Sequence, residues 1–192
     1  IGRVGTVGTN IPRLVFEDGV AKGYLSEESR TNLLTQSEFE NGLSDAPNNG
    51  FVTLDAVNYG DGDVNAIAFG YDGINTSFAR KNVGLIDNTP YVLSVYVEMD
   101  DGASPSFAST AYNSASNDFY LYVGEISVPS TYKIERFYGN VYKVSGLISR
   151  TYINSLVGVV KSNTNSPRTF KVTGYQLEVG SFPTSYIKTQ AS

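Results

Sequence analysis

From residue 51 onward, apolar residues recur at every second position in short runs broken by turn formers, and a period of two predicts strands rather than helices. The clearest run is Tyr91 to Met99. There Tyr91, Leu93, Val95, Val97 and Met99 alternate with Val92, Ser94, Tyr96 and Glu98, which assigns one face to a core and leaves a mixed face opposite. Phe119, Leu121 and Val123 share a face opposite Tyr120 and Tyr122, and Tyr142, Val144 and Ile148 share one opposite Lys143 and Ser145. These three strands should line one core. The full pattern predicts strands at 51–55, 65–71, 76–81, 90–99, 105–112, 119–123, 132–137, 141–149, 155–161 and 169–178. About ten short strands exceed what one open sheet holds without curling, so the expected fold is all-β, an antiparallel sandwich of two packed sheets.

Upstream, Ile11 to Leu34 carries two short apolar runs split by Glu17-Asp18-Gly19, a hairpin signal because Asp-Gly tolerates positive φ. Ile1 to Asn10, with Gly2, Gly5 and Gly8, reads as an extended arm or the tail of an upstream domain. Ser37 to Gly50 gathers Asn41-Gly42, Pro47 and Asn48-Asn49-Gly50, with one expected helical turn over Ser37-Glu38-Phe39-Glu40. The division is therefore an N-terminal arm and hairpin in 1–40 and a sandwich in 41–192.

Composition narrows the chemistry. Fourteen Tyr and ten Phe suit a pleated surface. The absence of His and Cys removes disulfides, thiolate nucleophiles, Cys/His zinc sites and imidazole triads. A net charge of -5 argues against nucleic acid as a partner, since that affinity rests on clustered Lys and Arg. No apolar run approaches the roughly 20 residues that span a bilayer, and the first ten residues lack a leader pattern, so the chain as given is expected to be soluble without membrane insertion.

Two segments are more specific. Ile11-Pro12-Arg13-Leu14-Val15-Phe16 followed by Gly23-Tyr24-Leu25-Ser26-Glu27-Glu28-Ser29-Arg30-Thr31-Asn32-Leu33-Leu34 resembles the opening motif of a large group of bacteriophage tail-fibre and virion proteins. Gly174-Tyr175-Gln176-Leu177-Glu178-Val179-Gly180-Ser181-Phe182-Pro183-Thr184-Ser185-Tyr186-Ile187-Lys188-Thr189 resembles the closing motif of the same group. Between them, Asn140 to Ser145 and Tyr91 to Val97 are similar to two of its strands, with Val141 where the pattern has Trp. The resemblance implies a jelly-roll sandwich like that of carbohydrate-binding modules, carried on a tail fibre or spike and acting outside the cell at the bacterial surface. It implies a non-catalytic module that recognises host-surface carbohydrate. A capping, trimerisation or adaptor domain is the alternative, and a polysaccharide depolymerase a third reading. Implied partners are a host glycan and other fibre subunits, including a homotrimer.

The motif residues suggest a structural clasp. Glu27 or Glu28 would pair with Arg30, and Asn32 would satisfy backbone groups at a bend. With a regular pleat, Gln176 and Glu178 fall on the side of Phe170 and Val172, and a buried Glu178 then needs Arg30, Arg13 or a cation such as Ca2+; a bulge at Gly174 would instead turn it to solvent. For carbohydrate, stacking calls for exposed rings beside polar groups, and Tyr96, Tyr120 and Tyr122 with Asn113 and Asn117 are the candidates. The same tyrosines also suit a packed trimer face. Catalysis has no support in spacing: the 19 acidic residues select no carboxyl pair, and Tyr132, Arg136 and Tyr138 are an arbitrary lyase trio. No cofactor is required; Asp61-Gly62-Asp63 and Asp100-Asp101-Gly102 read as turns and leave a structural Ca2+ as an option.

Overall fold

The computed structural model describes residues 13–17, 20–25, 30–45, 48–49, 52–60, 62–107, 117–124, 132–148, 156–162 and 166–190. Arg13–Glu17 (β1) and Val20–Leu25 (β2) pair as the hairpin that Asp18-Gly19 predicts. Gly42–Asp45 forms a 3-10 turn and Asn48–Asn49 a short strand, β3. Nine strands follow: β4 (Val52–Asn58), β5 (Asp63–Phe69), β6 (Thr76–Asn82), β7 (Tyr91–Met99), β8 (Tyr120–Val123), β9 (Tyr132–Tyr138), β10 (Val141–Ile148), β11 (Leu156–Ser162) and β12 (Phe170–Val179). A six-stranded antiparallel sheet runs β4-β5-β12-β7-β10-β9, and a four-stranded one runs β3-β6-β11-β8.

Their inner faces share one core, because Leu93, Val95, Val97, Val144 and Val172 of the larger sheet cluster with Ala79, Leu121, Val123, Val157 and Val159 of the smaller. Phe119 bridges the two layers, with its ring centroid 4.8 Å from that of Phe170. The three strands expected to line one core do so, with β8 in the opposite sheet from β7 and β10.

Three local expectations change. Residues 105–107 contribute an isolated bridge, Phe107 to Asn117, rather than a strand, and 108–112 lie outside the described residues. The helical turn falls at 42–45 rather than 37–40, since Gln36 and Phe39 take positive φ (51° and 54°), which a right-handed turn cannot absorb. The third change is in β12.

At Gly174 (φ 60°) the register of β12 slips, so Tyr175 and Leu177 return to the core beside Phe170 and Val172. A Cβ at this glycine would lie 2.6 Å from the Tyr96 ring. The bulge places Gln176 and Glu178 on the outer face, yet both are buried. Beyond the bulge the N-terminal segment replaces β5 as neighbour of β12: Leu33 N donates to Leu177 O, and Tyr175 N to Ser37 O, both at 2.9 Å. A second apolar cluster (Val57, Tyr59, Ala66, Tyr96, Val141 and Tyr186) covers the middle of that outer face. This is why β7 is buried along nearly its whole length instead of on alternate positions.

Candidate functional site

The two terminal motifs meet on β12. Asn32 uses its full amide capacity there: Oδ1 accepts from Leu34 N (3.1 Å) and Leu177 N (3.0 Å), while Nδ2 donates to Tyr175 O and Ile187 O (both 3.0 Å). Arg30 donates to Phe182 O at 2.9 Å and lies 4.3 Å over the Phe182 ring. Ser37 bonds the Tyr186 hydroxyl at 2.6 Å. Glu38 joins three segments, accepting from the Tyr59 hydroxyl and pairing with Lys188.

Glu178 departs from both sequence readings. It is fully buried, and its partners are Gln176 Nε2 (2.8 Å), Thr184 N (3.0 Å) and the Thr184 hydroxyl, so no Arg and no solvent meets it. Neutral side-chain and backbone donors from β12 itself and from the tail satisfy the carboxylate. Glu27, Glu28 and Asn113 lie outside the described residues.

The tyrosine platform does not form as the alternation predicts. Tyr96 is 2% exposed and packs against Tyr59 (5.2 Å), Phe137 (4.8 Å) and Tyr186 (5.5 Å), closed in by the tail and the β4–β5 loop. Tyr120 and Tyr122 do lie opposite Phe119 and Leu121, but at 2% and 9% exposure neither presents an open ring. Asn117 is buried as well.

The acidic turns are occupied by protein groups. Arg168 donates to both oxygens of Asp101 at 2.8 Å, to Asp118 at 2.5 Å, and to Ser104 O at 3.1 Å. That bonding, helped by Ala103 N, lowers Asp101 to about 2. Asp100 accepts from the Thr169 hydroxyl, and Asp63 from Asn58 Nδ2. Beside this cluster Lys161 is fully buried, donates to Ser166 O, and is lowered to about 8 by desolvation against the fields of Asp118 and Asp72. Among the described residues, no three or more acidic side chains gather to hold a metal ion. Nor do the lyase candidates converge: Tyr132 stacks on Phe107 at 4.1 Å, while Tyr138 sits at the far end of β9, about 20 Å along the strand.

What stays open is a row missed by sequence reasoning. Ladder pairing aligns Thr53, Ala68, Lys171, Glu98, Val141 and Tyr138 across all six strands of the larger sheet. Five interstrand spacings of about 4.8 Å make it roughly 24 Å long. Lys171 Nζ stands 3.4 Å from Asp55 Oδ2 and 3.9 Å from Glu98 Oε2, all three partly exposed. Tyr138, 40% exposed, marks one end. The row therefore offers hydrogen-bonding groups of both signs beside the partly exposed Ala68, is closed at the buried Val141, and carries an aromatic ring at its rim. One signal existed in the sequence, Glu98 on the mixed face of its strand; the other members come from strands whose register no local pattern encodes.

No protein-family model and no curated protein matches the chain in sequence. Among solved structures it is similar to the CBM22-1–GH10 modules of Clostridium thermocellum endo-1,4-β-D-xylanase 10B complexed with xylohexaose (TM-score 0.50, 13% identity, 82% of this chain and 30% of that one). It is likewise similar to the CBM22-1 xylan-binding domain of Paenibacillus barcinonensis Xyn10C (TM-score 0.50, 15% identity, 82% of this chain, 100% of that one). A family 16 carbohydrate-binding module is a looser likeness (TM-score 0.41, 18% identity, 76% and 99%). The chain spans 30% of the two-module xylanase chain and the whole of the isolated xylan-binding domain. At these identities the likeness is one of fold: a β-sandwich of the carbohydrate-binding-module type.

Proposed function

We propose that this protein is a non-catalytic carbohydrate-binding domain whose ligand lies along the Thr53–Tyr138 row. The observation that carries the reading is that row itself: an elongated, partly exposed track of Thr, Lys and Glu ending on an exposed Tyr, on a sandwich of the carbohydrate-binding type. Hydroxyls of a glycan exchange water for Asp55, Lys171 and Glu98, and a pyranose stacks on Tyr138. Two similar structures support the sugar class, one complexed with xylohexaose and one named as xylan-binding. The terminal motifs that resemble tail-fibre proteins support a virion setting, at the bacterial surface, where several copies per fibre convert weak sites into avidity.

The test is titration of the folded protein with xylohexaose and with host surface polysaccharide, alongside Tyr138→Ala and Lys171→Ala. Binding that weakens at least about tenfold in both variants, each melting as the parent does, supports the reading. Failure of the parent to bind any glycan, or binding indifferent to both substitutions, refutes it.

One observation favours an architectural role instead: Ile86, Val179 and Phe182 are 69%, 50% and 47% exposed at the end of the sheet where β7 begins. A mass in solution that is a multiple of the chain, reduced to a monomer by Phe182→Ser, would favour it.

A further inference from the structure

Arg80 is unlike the other described arginines. Arg30, Arg136 and Arg168, the other arginines whose side chains are described, each donate to a backbone or carboxylate oxygen, whereas among the described residues the Arg80 side chain makes no hydrogen bond and no ion pair. Its Nε is buried without an acceptor. The side chain leaves β6 on the outer face of the four-stranded sheet, since Ser77, Ala79 and Lys81 take the inward positions. There its guanidinium lies 3.7 Å from the Phe78 ring centroid and 5.4 Å from that of Tyr122.

Register explains the arrangement. Arg80, Gly158 and Tyr122 face one another across β6, β11 and β8, and Phe78, Val160 and Tyr120 form the adjoining row. Gly158 admits no side chain, because a Cβ there would come within 2.1 Å of Ala79 O. The middle of the row therefore carries no side chain of its own, and the guanidinium extends over the buried Gly158 toward Tyr122. Flanking rings hold its plane, which leaves a rigid, half-exposed fork of donors in apolar surroundings. A guanidinium in that position binds an acceptor far better than one in open water does, and the matching group is a planar oxyanion held by two parallel bonds. Of the two rings, Phe78 is partly exposed and suits the C–H face of a pyranose, while Tyr122 is closed and only backs the guanidinium.

From this geometry we infer a second ligand site, on the side of the sandwich opposite the Thr53–Tyr138 row, that takes the carboxylate of an acidic sugar on Arg80 between Phe78 and Tyr122. The overall negative charge of the chain does not oppose this, since a local cation governs a single contact more than the distant net charge does.

The test uses the whole chain with nitrogen-labelled arginine, titrated with trigalacturonate, xylohexaose and inorganic phosphate in turn. A buried Nε–H exchanges slowly and reports directly. The inference expects trigalacturonate alone to move the Arg80 Nε–H signal and the Phe78 and Tyr122 ring signals. It also expects Arg80→Lys, which keeps the charge and loses the fork, to weaken trigalacturonate binding by roughly tenfold, the worth of about one charge-assisted bond. Xylohexaose binding should be the same in parent and variant, which separates failure here from failure of the first site. An unmoved Arg80 signal, an equal response to phosphate, or unchanged affinity in Arg80→Lys overturns the inference. So does dissociation of an oligomer by Arg80→Lys, which would give the position to a neighbouring chain. If Arg80→Lys does not fold, the titration of the parent decides alone.

Discussion

Replacing Asn32 by Ala tests the clasp most directly. The substitution deletes four hydrogen bonds at once: two backbone donors (Leu34 N, Leu177 N) lose their acceptor and two carbonyls (Tyr175 O, Ile187 O) lose their donor. Asn32 is 5% exposed, so water does not simply take its place. At about 1 kcal/mol net per bond, and more for groups left buried and unpaired, the loss is about 3–5 kcal/mol. That is a large part of the 5–15 kcal/mol that typically holds a domain folded. In urea unfolding with a slope of about 2 kcal/mol/M, the midpoint should fall by roughly 2 M. Asn32→Asp sharpens the test, because aspartate keeps two acceptors but sets a negative charge against two carbonyl oxygens. It should be at least as damaging at neutral pH and partly recover in acid, where the protonated carboxyl donates again. A loss below about 1 kcal/mol for Asn32→Ala would refute the claim that this amide fastens the N-terminal segment and the tail to β12.

Other outcomes follow from the same packing. Arg168→Ala strands the buried Asp118 carboxylate, leaving only Ser166 and Ser106 as donors, and should cost about 3–5 kcal/mol in denaturant unfolding; a neutral result would show that those two suffice. Lys161 is lowered to about 8 against 10.5, so between those values the unfolded chain holds a proton that the folded chain has released. Stability should therefore rise with pH across that window, by up to roughly 3 kcal/mol, and Lys161→Met should flatten the rise in melts taken from pH 8 to 10. Burial pushes the Tyr59, Tyr132, Tyr175 and Tyr186 hydroxyls up, so above about pH 10 the unfolded chain loses protons that the folded one keeps, and stability should fall. Phenolate absorbance tracked against pH should then rise together with unfolding rather than before it. Gly174→Ala drives a Cβ into Tyr96 and removes the residue best suited to positive φ; it should lower the melting temperature by several degrees, and an unchanged melt would show that β12 can shed its bulge.

The strands were legible because a period of two is local: Tyr91–Met99, Val141–Ile148 and Phe170–Val179 lie within a residue or so of where the alternation puts them. Two packed sheets followed from their number, and the Asp18-Gly19 hairpin from its turn. Alternation also put Tyr120 and Tyr122 opposite Phe119 and Leu121. What alternation cannot carry is whether the second face is covered. Tyr96 was placed on the mixed face and is buried there because Tyr59 and Tyr186, 37 and 90 positions away, close over it. Alternation leaves Glu178 either buried beside a cation or turned to solvent by a bulge at Gly174; the bulge forms, and the tail carrying Thr184 closes over the carboxylate with neutral donors. The Thr53–Tyr138 row was invisible for the same reason, since it exists only in the register of six strands. Backbone sterics and burial set each strand's two faces residue by residue, and so the sequence alone determined them. Which face meets water depends on contacts between segments from tens to more than a hundred residues apart, and only the tertiary structure decided that.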